Sequence, residues 1–272
     1  MCAICGCSGH EHDVGAHVHD HPPHDHDHDH GHDHAHPPAP EVREEPGPRA
    51  RIVEVEAALL ARNDAVARDN RAHFAHHRVA ALNLMSSPGS GKTTLLVRTL
   101  ERLRDQIPLA VIEGDQETSL DAERIRATGV PSVQITTGKA CHLDASMVAR
   151  GFASLHHLER GVLFVENVGN LVCPAAFDLG ETRRVVLASV TEGEDKPLKY
   201  PFMFASADVV LVTKTDLLPH VDFDVRVFQE RLARVRPSAR VLLVSAKTGD
   251  GMDAWLGWLD GVCAEVGVHQ PK

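Results

Sequence analysis

Residues 86–94 read SSPGSGKTT, directly after the apolar run VAALNLM at 79–85 and at the head of the helical pattern GKTTLLVRTLERLRDQ at 91–106. A strand, a glycine-rich turn and a helix start, in that order, form the context that a phosphate-binding loop requires. Gly89 and Gly91, with Ser90 between them, let the backbone turn its N–H groups inward around phosphate oxygens. Lys92 is then expected to reach the β- and γ-phosphates, the Thr93 hydroxyl to bind Mg²⁺, and Thr94 to complete the loop. The helix N-terminus adds its partial positive charge. Ser86 stands where the usual pattern has its first glycine.

Outward from this loop, short β-branched runs alternate with helical patterns. Strands are predicted at Val79–Met85, Leu109–Glu113, Val133–Thr136, Val162–Glu166, Val185–Val190, Val209–Thr213 and Val241–Ser245. Helical patterns cover 118–129, 142–159 and 222–235, and 252–267 closes the chain. Near-continuous apolar strands separated by helices indicate an α/β protein of the P-loop NTPase type, with a mostly parallel sheet covered by helices on both faces. Residues 51–77 space their apolar side chains at helical intervals and should open this domain as an amphipathic helix.

Residues 1–50 differ from the rest. They hold almost no Leu, Ile or Phe and most of the chain's 20 histidines. Such a segment cannot bury enough apolar surface to offset its ordering entropy, so the expected organisation is a disordered metal-binding tail at 1–50 and a nucleotide-hydrolysing domain at 51–272. The formal net charge of −10, with no basic stripe, argues against nucleic acid as a partner. No stretch is long and apolar enough to span a membrane, and the N-terminus lacks a secretory layout. Six cysteines, three of them within residues 1–7, fit metal binding in a reducing cytoplasm better than a disulfide framework.

Two later segments indicate the base. LVTKTD at 211–216 resembles the Asn-Lys-x-Asp guanine motif of GTPases, with Thr213 in place of Asn. Asp216 would accept two hydrogen bonds from guanine, and Lys214 would pack its stem over the ring. SAKTG at 245–249 resembles the second guanine-contacting loop, bringing Ser245, Ala246 and Lys247 to the base. In order, each after a strand, the two favour GTP over ATP.

Two acids complete the expected chemistry. Asp115, in VIEGDQET, lies past the second strand, where a carboxylate can organise Mg²⁺ or the attacking water. Glu166, in FVENVG, resembles an Asp-x-x-Gly switch segment with Glu for Asp, which brings Gly169 near the γ-phosphate.

Metal-ligating residue types recur in three places. Cys141 and His142 are adjacent in TGKACHLDA, and Cys173 lies in ENVGNLVCP, inside the expected switch segment. Two thiolates and an imidazole suit Zn²⁺ or Ni²⁺, although spacing alone favours two unrelated buried cysteines and a loop histidine. Cys2, Cys5 and Cys7 can wrap one ion, and loss of Met1 would add an α-amine, a mixed set that Ni²⁺ favours. The tract HPPHDHDHDHGHDHAHPP at 21–38 could hold several ions exchangeably. Cys263 falls on the apolar side of the last helical pattern and is expected in the core.

The ordered set MCAICGC, the His-rich insert, SSPGSGKTTLL, IEGDQET, TGKACHLDA, ENVGNLVCP and TKTDLLP resembles the hydrogenase nickel-incorporation GTPases, the HypB family. The resemblance implies a metallochaperone that cycles GTP to GDP while nickel is delivered to a nickel–iron hydrogenase large-subunit precursor. It also implies a GTP-dependent homodimer with the Cys141/His142/Cys173 site near the contact, and a small zinc-binding nickel chaperone as partner. In related dimers lysines cross to the partner's nucleotide, a role for which Lys196 or Lys199 is the candidate here, with a solvated charged loop as the equal alternative. A urease-type nickel GTPase, a nickel storage protein with a vestigial GTPase and a cobalamin-associated chaperone are the competing readings. CHLDA with the separated Cys173, and the leading cysteines, count against the first, intact Lys92, Thr93 and Asp115 against the second, and the leading cysteines against the third.

Overall fold

A computed structural model of the chain describes residues 48–116, 120–138, 140–155 and 158–268. The described residues open with α1 (Pro48–His77) and run through β1 (Ala80–Ser86), α2 (Lys92–Leu103), β2 (Leu109–Asp115), α3 (Leu120–Arg126), β3 (Ser132–Thr136), α4 (Ala145–Ser154) and β4 (Val162–Glu166). They continue through α5 (Cys173–Ala176), β5 (Arg183–Ser189), α6 (Lys196–Lys199), α7 (Pro201–Ala205), β6 (Val209–Thr213), a 3₁₀ turn (Thr215–His220), α8 (Val225–Val235), β7 (Arg240–Val244) and α9 (Met252–Glu265). Among the described residues seven strands form one sheet in the order β3-β2-β4-β1-β5-β6-β7, and all six pairings are parallel. A fully parallel sheet must be covered on both faces, which is why its strands are continuously apolar.

Alternate residues of each strand feed opposite layers. On one face Leu95, Leu96 and Leu100 of α2 meet Trp255 and Leu259 of α9 over Leu82, Leu84 and Phe164. Trp255 is fully buried, and its indole N–H donates to Thr99 Oγ1 at 2.9 Å, so truncation to alanine would cost about 3–5 kcal/mol. On the other face Phe74 of α1 packs with Val148 and Phe152 of α4 over Ala81, Ile112 and Leu163. A third cluster gathers Met203, Phe204, Phe228 and Leu232 over Val186, Val210 and Val212. Cys263 sits in the first cluster, where burial pushes its thiol up to about 11.

Element limits differ from the sequence reading in physically readable ways. The pattern at 142–159 gives a helix only from Ala145, because Asp144 caps it by accepting the Met147 N–H at 2.7 Å. The pattern at 222–235 likewise starts at Val225, after Asp224 caps it. Helices α5, α6 and α7 are too short to carry a periodic signal and were not anticipated. The opening helix is amphipathic only along its second half. There Ala67 and Phe74 are buried, whereas Ile52, Val53, Val55 and Leu59 in the first half are exposed.

Two buried asparagines tie α1 to the rest. Asn63 Oδ1 accepts the Ala145 N–H at 2.9 Å, and its Nδ2 donates to the Asp178 carbonyl at 2.8 Å. Asn70 Nδ2 donates to the Ala145 and Leu179 carbonyls. These bonds fix the start of α4, and with it the loop that carries Cys141 and His142. Among the described residues no helix is long and apolar enough to cross a membrane.

Candidate functional site

The β1–α2 loop rims a cavity of about 540 Å³ at the C-terminal edge of the sheet, lined by Ser86 to Thr94 and by Glu113, Asp115, Arg124, Glu166, Gly169 and Lys214, among others. Gly91 caps α2 at φ 92, a left-handed conformation that a side chain would strain. The Lys214 ammonium donates to the Gly89 carbonyl at 2.6 Å, so the lysine stem lies along the loop. Thr213 Oγ1 donates to the Ser90 carbonyl at 2.6 Å and ties the end of β6 to the loop. The hydroxyl thus gives the threonine, found where the guanine motif has Asn, a supporting role under the phosphate cradle.

The acids converge from two neighbouring strands. Glu166 ends β4 and is buried; it accepts from Thr93 Oγ1 at 2.6 Å and from Lys92 Nζ at 3.2 Å. Asp115 ends β2, with one carboxylate oxygen accepting the Gln116 N–H at 2.7 Å. Glu113 lies directly opposite Glu166 in the β2–β4 register. Burial raises its pKa to about 8, reinforced by the negative charges of Glu166, Asp115 and Asp121 and opposed by Lys92. Glu113 therefore favours its protonated, neutral form near neutral pH. Glu113 Oε2, Glu166 Oε2 and Ser90 Oγ are buried without a hydrogen-bond partner. Unpaired buried oxygens are costly, and together with Thr93 and Asp115 they fit a hydrated divalent cation such as Mg²⁺ beside phosphate.

A second cavity of about 240 Å³ adjoins the first and is lined by Gly91, Leu95, Thr213, Lys214, Asp216, Leu217, Ala246 and Lys247, among others. Its lining is largely apolar, with Asp216 as the acid. Ser245 Oγ donates to Asp216 Oδ1 at 2.6 Å and accepts the Thr248 N–H at 3.2 Å. Ser245 therefore orients the acid from behind, while Ala246 and Lys247 reach the cavity itself.

On the far side of Glu166 the three inner metal-site candidates meet. Ligand atoms of Cys141, His142 and Cys173 all lie within 4.8 Å of one another. The two sulfurs are 2.6 Å apart, and Cys141 Sγ is 3.9 Å from His142 Nδ1. Around an ion at Zn–S bonds of about 2.3 Å, tetrahedral sulfurs stand about 3.7 Å apart, so binding would part them by roughly 1 Å. The His142 ring stacks on Phe177 at 3.9 Å. Burial lowers its pKa, with Asp144 opposing, which keeps the imidazole in the neutral form that ligates.

Four side chains here carried no signal in the sequence. Glu113 sits inside a strand and Arg124 on a surface helix, where Arg124 Nη2 donates to Thr94 Oγ1 at 2.9 Å. Asn167 and Asn83 join beneath the loop, Asn167 Nδ2 donating to Asn83 Oδ1 at 3.2 Å. Lys196 and Lys199 pair within their own chain, with Glu192 at 3.6 Å and Asp195 at 2.6 Å. Cys2, Cys5, Cys7 and the tract at 21–38 lie outside the described residues.

Backbone amides curled at a helix start, with a lysine and a threonine hydroxyl beside the acid that ends the neighbouring strand, make the phosphate site of P-loop NTPases, and fold and site together put the chain in that class. Residues 80–243 match the family described as CobW/HypB/UreG, nucleotide-binding domain. Within it, the chain belongs to the HypB hydrogenase maturation factors. It is 59% identical over 212 residues to hydrogenase maturation factor HypB of Azotobacter chroococcum mcd 1, covering 78% of this chain and 70% of that one. To HypB of Escherichia coli strain K12 it is 57% identical over 210 residues, covering 77% and 72%. The crystal structure of HypB from Helicobacter pylori in complex with nickel is similar at a TM-score of 0.70 and 39% identity, covering 78% of this chain and 98% of that chain.

Proposed function

We propose that the chain hydrolyses GTP to GDP and phosphate, and that its nucleotide state controls capture and release of nickel at Cys141, His142 and Cys173 during hydrogenase maturation. The observation that carries this reading is continuity. Glu166 touches Lys92 and Thr93, the next residue Asn167 holds the backbone of Leu143, and Leu143 follows His142 directly. Cys173 lies seven residues beyond Glu166 on the same segment.

In the proposed cycle the loop amides of Gly89 to Thr93 cradle the β- and γ-phosphates, and Lys92 leaves Glu166 to neutralise the γ-phosphate. Thr93 and Asp115 would hold Mg²⁺, which would supply positive charge to the phosphates. Glu166, freed of Lys92 and Thr93, orients the attacking water. Neutral Glu113 adds a proton donor without adding charge. Asp216, held by Ser245, selects guanine. As Glu166 and Gly169 follow the γ-phosphate, Asn167 draws on the Cys141/His142 loop while Cys173 moves with its own segment. The two thiolates thus change separation, and the ion's affinity changes with them.

The wider assignment rests on relatives and on residue types. It has Cys2, Cys5 and Cys7 capturing Ni²⁺, the histidine tract storing it, and Zn²⁺ competing for the inner site. The chain would act in the cytoplasm as a GTP-dependent homodimer, receiving nickel from a small zinc-binding chaperone and passing it to the hydrogenase large-subunit precursor. The decisive experiment is Ni²⁺ and Zn²⁺ competition titration of the chain carrying Cys2, Cys5 and Cys7→Ser. It would be run with GDP and with a non-hydrolysable GTP analogue, with and without Cys173→Ala. A nucleotide-dependent affinity that vanishes with Cys173→Ala supports gating, and equal affinity in both nucleotide states refutes it.

A further inference from the structure

Two aromatic pairs of the α1–α4 layer meet edge to face: Phe74 with Phe152, planes 79° apart, and His73 with Phe152, planes 86° apart. His142 and Phe177 instead lie face to face, with centroids 3.9 Å apart and planes tilted by 26°. The lone pairs of an imidazole lie in its plane, so a ring gripped by its face keeps its nitrogens clear of the stacked partner. Nδ1 of His142 is 3.9 Å from Cys141 Sγ. Around a tetrahedral ion, a sulfur at about 2.3 Å and a nitrogen at about 2.0–2.1 Å stand about 3.6 Å apart. The imidazole is therefore within about 0.3 Å of its ligating distance from Cys141, whereas the two sulfurs must part by roughly 1 Å.

Phe177 is itself held in place. It is buried at the end of α5, four residues after Cys173. Arg184 of β5 donates from Nη2 to the Phe177 carbonyl at 3.1 Å and from Nη1 to the Ala175 carbonyl at 3.2 Å. Its Nε donates to Glu181 Oε1 at 2.6 Å, and Glu181 Oε2 accepts the Leu179 N–H at 2.7 Å. Asn83, opposite Arg184 in the β1–β5 register, donates to Glu181 Oε1 at 3.3 Å. A largely buried arginine–glutamate pair thus fixes to the sheet the backbone that carries both Cys173 and Phe177.

We propose, on the reading that Cys141, His142 and Cys173 bind nickel, that Phe177 is a positioning residue which sets the plane of the His142 imidazole. The segment 173–177 then supplies one ligand and orients another. Burial of Phe177 follows from core packing. Packing does not require that its partner be a ligand ring, held by its face and standing near its ligating distance. Without the stack the imidazole would spend only part of its time in that pose, and apparent affinity falls by the same fraction.

The test is Ni²⁺ titration of the whole chain carrying Cys2, Cys5 and Cys7→Ser, with free ion fixed by a chelator buffer. Thiolate-to-nickel absorption then reports Cys141 and Cys173. Phe177→Leu should weaken binding about 10–100-fold, the usual cost of removing a group that orients a ligand. Phe177→Tyr keeps the ring and should stay within a few-fold of the parent. In a His142→Gln background Phe177→Leu should move the midpoint less than about twofold, because the ring it orients is gone. A loss of equal size in both backgrounds means that Phe177 only supports the loop, and overturns the proposal. So does an unmoved midpoint in Phe177→Leu when the parent shows the absorption. Absence of that absorption in the parent, or a parent midpoint that His142→Gln leaves unmoved, overturns the nickel reading itself and the proposal with it. Circular dichroism identifies a variant that does not fold, and Phe177→Met then replaces Phe177→Leu in the same cycle.

Discussion

Asn167 Oδ1 accepts the backbone N–H of Leu143 at 3.1 Å, so the residue after Glu166, buried beside the phosphate loop, holds the residue after the candidate ligand His142. The same oxygen accepts the Val168 N–H, and Asn167 Nδ2 reaches Asn83 in the central strand β1. One buried amide thus joins the two loops and anchors both to the sheet.

Asn167→Ala should therefore uncouple them. Leaving the Leu143 N–H buried and unpaired costs about 1–3 kcal/mol, visible as a lower Tm. Metal affinity at Cys141/His142/Cys173 should become the same in GDP and in a GTP analogue, while GTP turnover stays within a few-fold of the parent. Asn167→Asp keeps the acceptor for Leu143 and should restore part of the difference. Retained full nucleotide dependence in Asn167→Ala would sink the coupling role.

Lys92→Ala should abolish GTP hydrolysis and leave metal binding by Cys2, Cys5 and Cys7 intact. Steady-state phosphate release and a chelator competition on the same sample read both. Undiminished turnover would refute the phosphate-loop assignment.

Asp216→Ala should lower the preference for GTP over ATP by about 10²-fold or more, as expected when a site built on hydrogen bonds loses its acceptor. Ser245→Ala removes only the orienting hydroxyl and should have a smaller effect in the same direction. Competition binding of the two nucleotides gives the ratio, and an unchanged ratio in Asp216→Ala excludes the guanine contact.

Glu113 supplies a pH dependence. Folded, it keeps its proton up to about pH 8, whereas the ordinary value is 4.5. Between those values the folded chain binds more protons than the unfolded one, so stability is fully present below pH 4.5 and falls as pH rises toward 8. The slope is at most about 1.4 kcal/mol per pH unit. Glu113→Gln, neutral at every pH, should flatten the denaturation midpoint between pH 5.5 and 8.5 in the presence of a chelator. Parallel profiles for the two chains would contradict the assignment.

Local signals explain what was legible before the structure. The loop SSPGSGKTT, the acids of VIEGDQET and FVENVG, and Asp216 could be read because each motif is a run of neighbouring residues beside a strand. The parallel sheet followed from strands apolar on both faces, and β4 and β6 carry the expected limits. Elsewhere strand limits moved by up to two residues, because pairing across the sheet sets where a strand ends. Ser245 was expected at the base, yet its hydroxyl turns to Asp216, and no sequence pattern reports that direction.

By itself, the sequence determined the fold class and the strand–loop–helix order of the phosphate loop with its lysine and threonine, and it supplied the residue types of the candidate metal site. Those depend on residue chemistry and short-range order. Tertiary structure alone decided that Glu113 faces Glu166, that Asn167 holds Leu143, that Cys141 meets Cys173, and that Phe177 stacks on His142. Each joins residues from separate elements, and their meeting depends on strand order, register and the packing of α1 and α4 on the sheet, which no local stretch of chain encodes.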